Sequence, residues 1–331
     1  MNKKSEKIYI KKCADDGVKI HPHCNSKYCS QRIIEVDPAV GCGFECQYCC
    51  VYTQEKECKF NNIVIYEDYP KLLEQYIIEN KNKLDSLTFF YSFESDCFQK
   101  PLIETGMTEN ILNLFKKYDL KYFLLTKGGI PPENIRKLLI ETRKNVQVVV
   151  NDTMPNEELR SKLEPYTATI DERYSLVKYC LDNGIYSTIS FSPILPFVGT
   201  QYLKDKIDKY IKLGIEHFRL DMLELSEDSL KRIQDLIPEY KNELNRLYFA
   251  PDRMENNWIA PKSKEVVNRY KPSQKKIADM YKEIDEYLNN IDPNITVSIC
   301  DAVVATNIYL KGFNKRSYDN GFNCMGVKIK L

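Results

Sequence analysis

Residues 40–52 read Val40-Gly-Cys-Gly-Phe-Glu-Cys-Gln-Tyr-Cys-Cys-Val-Tyr52, the most specific pattern in this 331-residue sequence. Cys42, Cys46 and Cys49 stand in the spacing Cys-x-x-x-Cys-x-x-Cys, in a glycine-containing loop that directly follows a candidate strand. Thiolates at this spacing can bind three corners of a cubane iron–sulfur cluster, whereas a fully protein-bound cluster needs four. Three ligands leave one iron open to a non-protein ligand, so the loop predicts a catalytic 4Fe-4S cluster.

A structural zinc knuckle, or a chance group of reduced thiols, is the alternative interpretation of this loop. Zinc sites usually take ligands in pairs separated by a longer loop. The chain has twelve cysteines, and eight of them lie between Cys13 and Cys58. In a reducing compartment such a concentration indicates metal or redox chemistry rather than disulfides. The position directly after a strand favours iron–sulfur.

Short β-rich runs alternate with amphipathic helical stretches over most of the chain. Strands are predicted over residues 33–40, 86–92, 121–127, 146–151, 186–192 and 216–222. Helices are predicted over residues 69–84, 108–118, 132–143, 171–183, 200–213 and 226–237. This alternation indicates a parallel α/β sheet, either barrel-like or doubly wound. The first strand is not followed by Gly-x-Gly-x-x-Gly, and the chain has no Gly-x-x-x-x-Gly-Lys-Ser/Thr loop, which argues against both common nucleotide-binding motifs.

Three regions are predicted along the chain. Residues 1–31 are polar and basic without a clear period, and we expect an irregular N-terminal arm. Residues 32–237 carry the alternating pattern and should form the barrel. From about Pro238 the alternation fades, so residues 238–331 are expected to be a C-terminal extension that covers the barrel mouth.

Composition and charge exclude several classes of protein. The fractions of hydrophobic (43%) and charged (29%) residues are ordinary for a globular protein. No stretch approaches the roughly 18 consecutive apolar residues of a spanning helix, and the N-terminal Lys-rich segment has no apolar core behind it, so a cytoplasmic protein without a membrane partner is expected. The net charge of +1 argues against a long duplex DNA partner, which requires a basic surplus.

The cysteine pattern resembles the signature of the radical S-adenosylmethionine (SAM) superfamily, including the aromatic Tyr48 before the last ligand. Other segments resemble its spore photoproduct lyase-like branch. They are Ser95-Asp-Cys-Phe-Gln-Lys-Pro101, Thr126-Lys127, Asp171-Glu-Arg173 and Ser192-Pro-Ile-Leu-Pro196. The resemblance covers roughly residues 33–225.

The resemblance implies a partial (β/α)6 barrel of the TIM type with a 4Fe-4S cluster at its mouth. It also implies that SAM binds the open iron and is reductively cleaved to a 5′-deoxyadenosyl radical, which abstracts hydrogen from the substrate. Such an enzyme needs an external one-electron donor, such as flavodoxin or ferredoxin.

Lys127 is the first candidate for a SAM contact. In its strand, Phe123, Leu125 and Lys127 share one face, and Lys127 stands at the strand end. The family places such a lysine on the methionine carboxylate of SAM, and a solvated strand-end lysine is the alternative.

Further cofactor contacts are predicted at Tyr48, Ser95, Asp96, Asn151, Ser190 and Ser192. Asn151 ends the fourth predicted strand and could bind the ribose or methionine part of SAM. Thr188, Ser190 and Ser192 give the fifth strand a polar face, which would also suit a solvent-facing edge. Ser95 and Asp96 match family positions, with a helix N-cap as the alternative.

The substrate is less well specified. Spore photoproduct lyases carry a hydrogen-donor cysteine in Cys-Thr-Ser-Asp, but the corresponding residues here are Phe93-Glu-Ser-Asp96. This difference argues against DNA photoproduct repair. Overall similarity to the branch favours queuine lyases, which release the base queuine from queuosine 5′-phosphate, a modified nucleotide. A second enzymatic hypothesis is a radical enzyme that modifies a peptide. The non-enzymatic hypothesis is a protein that only binds a metal.

Recognition of the base is predicted on the sixth strand. A guanine-like edge offers two N–H donors that one carboxylate can accept, and a buried donor without a partner costs about 1–3 kcal/mol. His217, Arg219 and Asp221 share one strand face, and Asp221 lies at its C-terminal end, where barrel enzymes place substrate contacts. Glu94 is the competing carboxylate, and an ion pair of Asp221 with Arg219 or a lysine is the structural alternative.

We interpret the remaining histidines and cysteines as structural residues rather than metal ligands. His21, His23, Cys24 and Cys29 fit no zinc spacing well. We expect packed or buried thiols at Cys50, Cys300 and Cys324, and a core or surface histidine at His217.

Overall fold

The computed structural model describes residues 7–22, 33–49, 62–259 and 266–328. Its strands are β1 (Lys7–Lys11), β2 (Ile33–Val36), β3 (Ala39–Val40), β4 (Asn62–Tyr66), β5 (Thr88–Tyr91), β6 (Tyr122–Thr126), β7 (Val146–Asn151), β8 (Tyr186–Ile194), β9 (His217–Met222), β10 (Leu225–Ser226), β11 (Met254–Ile259), β12 (Val266–Lys271) and β13 (Thr296–Ser298).

The α-helices are Tyr69–Glu79, Lys100–Glu104, Met107–Lys117, Glu133–Glu141, Glu157–Leu163, Ile170–Asp182, Gln201–Ile211, Glu227–Leu236, Lys241–Tyr248, Gln274–Ile291, Asp301–Thr306 and Lys315–Asp319. Among the described helices, none combines the length and the apolar composition that crossing a membrane requires.

A seven-stranded parallel sheet forms the centre of the fold, in the order β2-β5-β6-β7-β8-β9-β13. Every residue of β7 is buried, as expected for a strand covered on both faces. The six predicted strands all occur and are joined by helices, but in the described ranges the sheet does not close between β2 and β13. The prediction of an open, partial α/β barrel is confirmed.

The first predicted strand is divided into two. Only β2 joins the barrel sheet, whereas β3 turns away and pairs antiparallel with β4. Pro38 lies between them and has no N–H to continue a ladder. The Asp37 carboxylate accepts hydrogen bonds from the backbone N–H groups of Glu94 at 2.9 Å and Ser95 at 3.3 Å, so this break holds the loop after β5.

The N-terminal arm contains regular structure that was not predicted. β1 pairs in parallel with β4, from Lys7 opposite Asn62 to Lys11 opposite Tyr66. The expectation that residues 1–31 are irregular is therefore wrong for this segment. Lysines at both ends and the exposure of Ile8, Tyr9 and Ile10 explain why its sequence lacks the pattern of a core strand.

The C-terminal region also enters the barrel. β13 pairs with β9, and the turn over residues 322–328 packs inside the sheet, where Cys324, Met325 and Val327 contact Phe90 and Phe123. The side-chain amide of Gln147 on β7 donates to the Gly326 carbonyl at 2.6 Å and accepts from the Lys328 N–H at 3.0 Å. This turn, named here the C-terminal turn, fills the barrel interior, and Cys324 is buried there as expected.

His217 lies in the core, which is one of the two locations, core or surface, expected from the sequence. Its two ring nitrogens lie 2.8 Å from Thr296 Oγ1 and 2.9 Å from Ser298 Oγ, and its ring stacks on Phe322. Burial lowers the pKa of His217 to about 3, so the ring is neutral near pH 7.

Candidate active site

A cavity of about 370 Å³ opens at the carboxyl ends of the barrel strands. The predicted site residues that line it are Cys42, Cys46, Tyr48, Cys49, Glu94, Ser95, Asp96, Lys127, Asn151, Ser192, Arg219 and Asp221. Ser190 is the exception. It lies beside Asn151 and Arg219 in the sheet but is fully buried, and its hydroxyl has no hydrogen-bond partner among the described residues.

Backbone hydrogen bonds hold the cysteine loop in place. The Gly43 N–H donates to Gln99 Oε1 at 2.9 Å, and the Gln47 N–H donates to the Leu163 carbonyl at 2.8 Å. Arg232 Nε donates to the Gln47 carbonyl at 3.0 Å. Gly41 enters the loop with φ of +90°, and a Cβ there would lie 2.4 Å from the Asn62 carbonyl oxygen, so a glycine is required. The surrounding fold thus determines the loop conformation.

The three cysteines lie on one side of this cavity. Cys46 is buried, and Cys42 and Cys49 are half-buried. Burial raises the pKa of the Cys42 and Cys46 thiols, while the nearby Lys127 opposes this for Cys46. Since thiolates are the ligand form, a bound centre would have to displace the thiol protons, and its positive charge would stabilise the thiolates.

The arrangement of the donors fits a cluster. Within the described ranges, no three His, Cys, Asp or Glu side chains converge on a single metal ion. A cubane does not require such convergence, because each ligand binds a different iron. Soft sulfur donors beside a cavity of this size match an iron–sulfur cluster together with a small molecule.

Lys127 and Asp96 have different roles at the end of β6. The Lys127 ammonium lies 5.9 Å from the centroid of the Tyr48 ring, beside the cysteine loop. The Asp96 carboxylate is occupied within the protein, since it accepts from Thr126 Oγ1 and the Lys127 N–H, both at 2.8 Å. Burial raises the pKa of Asp96 to about 6, although these hydrogen bonds oppose the shift. Asp96 therefore fixes the strand end from which Lys127 projects.

The helix that follows Asp96 does not use it as an N-cap. Helix Lys100–Glu104 begins after Gln99, so the N-cap alternative for Ser95 and Asp96 is wrong. The Ser95 hydroxyl is buried at the cavity wall and has no hydrogen-bond partner among the described residues. It is one of the polar atoms that a ligand could satisfy.

A fully buried ion pair, which was not predicted from the sequence, contacts the cysteine loop through Tyr48. Tyr48 donates its phenol O–H to Glu164, and Arg173 pairs with the same carboxylate. Arg173 Nη1 also donates to the Asn151 carbonyl at 2.9 Å. This Tyr48–Glu164–Arg173 network links the loop to the end of β7. The family resemblance includes the motif that contains Arg173, but the sequence near Glu164 does not indicate its partner.

Asn151 presents an open acceptor. Its amide N–H donates to the Ser192 carbonyl, whereas its Oδ1 is buried without a hydrogen-bond partner in the described ranges. Because buried polar atoms are normally satisfied, this oxygen indicates a hydrogen-bond donor on a ligand.

Charged side chains from β9, from β12 and from the segment between β9 and β10 also line the cavity. Arg219 lies 3.8 Å from Asp221, so the predicted ion pair is present but too long for a hydrogen bond. Sequence analysis missed Glu224 and Arg269, which also line the cavity. Glu224 lies 3.1 Å from the Lys271 ammonium and 3.6 Å from Arg269 Nε. Arg269 belongs to the β11–β12 hairpin, which lies outside the region of family resemblance.

Phe93 stands where the sequence resemblance places a hydrogen-donor cysteine. Its ring contacts Phe90 edge-on at 5.6 Å, and Phe90 stacks on Phe123 at 4.3 Å. Cys97 is fully buried and is not among the residues that line the cavity. Neither Phe93 nor Cys97 can therefore supply a thiol hydrogen there.

Of the N-terminal residues His21, His23, Cys24 and Cys29, only His21 lies in a described range, and its Nδ1 is 3.4 Å from Glu35 Oε2. Cys50 and Cys58 also lie outside the described residues. Cys300 is half-buried rather than buried, contrary to expectation.

Comparisons with known proteins are consistent with this geometry. No family model matches the chain. An uncharacterized protein of Methanocaldococcus jannaschii, MJ0683, is 24% identical over 177 residues, which are 51% of this chain and 63% of that protein. The match therefore spans less than two-thirds of that relative.

Two solved structures have similar folds. Spore photoproduct lyase complexed with dinucleoside spore photoproduct aligns with a TM-score of 0.59 at 15% identity, over 80% of this chain and 75% of that one. The radical SAM methyltransferase TsrM from Kitasatospora setae, with tryptophan and a SAM analogue bound, aligns with a TM-score of 0.51 at 12% identity, over 87% and 61%. The fold is therefore the partial barrel of radical SAM enzymes.

Proposed function

We propose that the chain is a radical SAM enzyme in which Cys42, Cys46 and Cys49 hold one 4Fe-4S cluster beside a SAM molecule. When bound and reduced by an external donor such as flavodoxin or ferredoxin, these groups supply a 5′-deoxyadenosyl radical that abstracts hydrogen. The observation that carries the proposal is the cavity, which adjoins all three cysteines. The unpartnered Ser95 hydroxyl and Asn151 carbonyl on its wall support it.

The chain's own residues position SAM and limit water. Lys127 provides a cation for the methionine carboxylate, and Asn151 Oδ1 accepts a hydrogen bond from SAM. Apolar side chains of Phe90, Leu125 and Met325 line the cavity and limit the water near a reactive radical.

Replacing Lys127 by alanine is expected to weaken SAM binding by about 1.5–3 kcal/mol, because a charge-assisted hydrogen bond is lost. Equilibrium binding to the anaerobically reconstituted protein measures this effect. Lys121→Ala, on the exposed start of the same segment, is the control and should bind SAM normally. Unchanged SAM affinity in Lys127→Ala would exclude this anchoring role.

For the substrate, we propose queuosine 5′-phosphate, from which a lyase reaction releases queuine. Asp221 supports this choice, because its carboxylate lines the cavity wall and is 36% exposed, so it can accept hydrogen bonds from a base edge. The direct test is anaerobic turnover with dithionite, SAM and queuosine 5′-phosphate. Formation of free queuine and 5′-deoxyadenosine supports the proposal, whereas SAM cleavage without queuine release contradicts it.

A spore photoproduct lyase-like repair activity is the second candidate, and the similarity of the fold favours it. Phe93 at the donor position and the net charge of +1 argue against it. Turnover of dinucleoside spore photoproduct in a parallel reaction distinguishes the two. A colourless zinc protein that does not cleave SAM would instead support a non-enzymatic metal-binding role.

Asp221→Asn is expected to weaken queuine binding by about 1–3 kcal/mol, because the amide cannot accept two donors of the base edge. Substrate-independent SAM cleavage should persist, since Asp221 does not belong to the cysteine loop. Glu94→Gln tests the competing carboxylate in the same binding assay. Normal queuine affinity in Asp221→Asn would show that the assignment is wrong.

A further inference from the structure

We propose that Arg219 and Arg269, which both line the cavity, form a subsite for a phosphate monoester. The proposal rests on the proposed function only in assigning that phosphate to the nucleotide substrate. The chemistry of the subsite itself, which is recognition of an oxyanion by two guanidinium groups, follows from the side chains.

Arg219 is buried, and its Nε–H lacks a hydrogen-bond partner among the described residues. Its side chain is only 10% exposed. The pairing with Asp221, at 3.8 Å, exceeds hydrogen-bond distance. A guanidinium carries five N–H donors, and leaving them unsatisfied is costly. A buried guanidinium that lines a cavity therefore indicates a ligand with several acceptor oxygens.

Arg269 adds a second guanidinium from a different part of the fold. It is 6% exposed and lines the same cavity. Its carboxylate neighbour Glu224 is shared, since it lies 3.6 Å from Arg269 Nε and 3.1 Å from the Lys271 ammonium. Arginine binds phosphate oxygens in a bidentate manner, so the pair suits a phosphate monoester.

The methionine carboxylate of SAM is the other anion that could occupy this subsite. Its proposed anchor, Lys127, follows β6, whereas Arg219 is on β9, three strands away in the sheet. At about 4.8 Å per strand, this separation is roughly 14 Å along the sheet. The structure thus provides separate cations for the two anions, Lys127 after β6 and Arg219 on β9.

The test compares three probes on the anaerobically reconstituted enzyme: queuosine 5′-phosphate, queuosine and inorganic phosphate. Wild-type enzyme should bind the 5′-phosphate at least tenfold more tightly than the nucleoside. Arg219→Met and Arg269→Met should each remove this preference and weaken inorganic phosphate binding, without changing SAM affinity. Arg136→Met is the matched control, because Arg136 is half-buried with an unpartnered Nε but does not line the cavity.

The outcomes separate this inference from the proposed function. If neither queuosine form binds but inorganic phosphate binding depends on Arg219, the substrate assignment fails and the subsite stands. Loss of SAM affinity in Arg219→Met, with phosphate binding retained, would assign the anion to SAM and overturn the subsite. Equal weakening of both queuosine forms would also overturn it. If Arg219→Met does not fold, the same binding measurements on Arg219→Lys and Arg269→Met test the subsite.

Discussion

Replacing Cys42, Cys46 and Cys49 together by alanine should abolish iron binding and reductive SAM cleavage. Each cysteine would bind a different iron of the cluster, and no fourth cysteine lines the cavity in the described part of the chain. Iron and sulfide content, together with the absorbance of the brown protein after anaerobic reconstitution, measure the loss. Single alanine variants should also lose activity, because two ligands are insufficient to retain a cluster in a catalytic geometry.

Cys180→Ala is the control for this experiment. Cys180 is fully buried in helix Ile170–Asp182 and does not line the cavity. Its substitution should leave the iron content unchanged. A triple variant that retained a full complement of iron would show that the cluster is bound elsewhere, and the site assignment would be wrong.

The Tyr48–Glu164–Arg173 network carries the second large prediction. Arg173→Met should lower the free energy of unfolding by about 3–5 kcal/mol, because Glu164 would remain as a buried charge without its partner. Both side chains are fully buried. Burial alone raises the pKa of Glu164, yet Arg173 and neighbouring groups lower it below its usual value. Glu164 is therefore ionised in the folded protein near neutral pH, and its stabilising contribution is lost as the pH falls.

The double variant Arg173→Met/Glu164→Gln provides the decisive comparison. It removes both charges, so it should recover part of the stability lost in Arg173→Met. Urea denaturation followed by circular dichroism measures all three proteins without the cluster, which would otherwise complicate a two-state analysis. If the single variant lost less than about 1 kcal/mol, or if the double variant were no more stable, the ion pair would not hold this region together.

The fold was predictable where the strands and helices are local and periodic. The burial of β7 and the regular return of helices made the parallel sheet visible in the sequence, and the six predicted strands all occur. β1 was missed because its exposed residues lack the pattern of a core strand, and β13 because it has only three residues and pairs with a distant strand. Pro38 could have marked the break between β2 and β3, since proline lacks the N–H that the ladder requires.

The candidate site was only partly predictable, for a related reason. The spacing of the three cysteines predicts a cluster, and the position of Lys127 at a strand end predicts a contact with SAM. Arg269 reaches the cavity from a hairpin that follows the recognisable barrel, so no local pattern connects it to Arg219. Glu164 resembles an ordinary helical glutamate, and only three-dimensional contacts show that it accepts hydrogen bonds from Tyr48 and Arg173.

The C-terminal turn has a consequence for the synthesis of this protein. Gln147 is separated by 179 residues from Gly326, whose carbonyl it binds. At about 5–20 residues per second, the ribosome takes roughly 9–36 s to make the intervening chain. During that interval the inward-facing rings of Phe90 and Phe123 lack the side chains that cover them. The nascent protein therefore passes through a stage with an apolar, unfilled barrel, when it is most prone to aggregate and to engage chaperones.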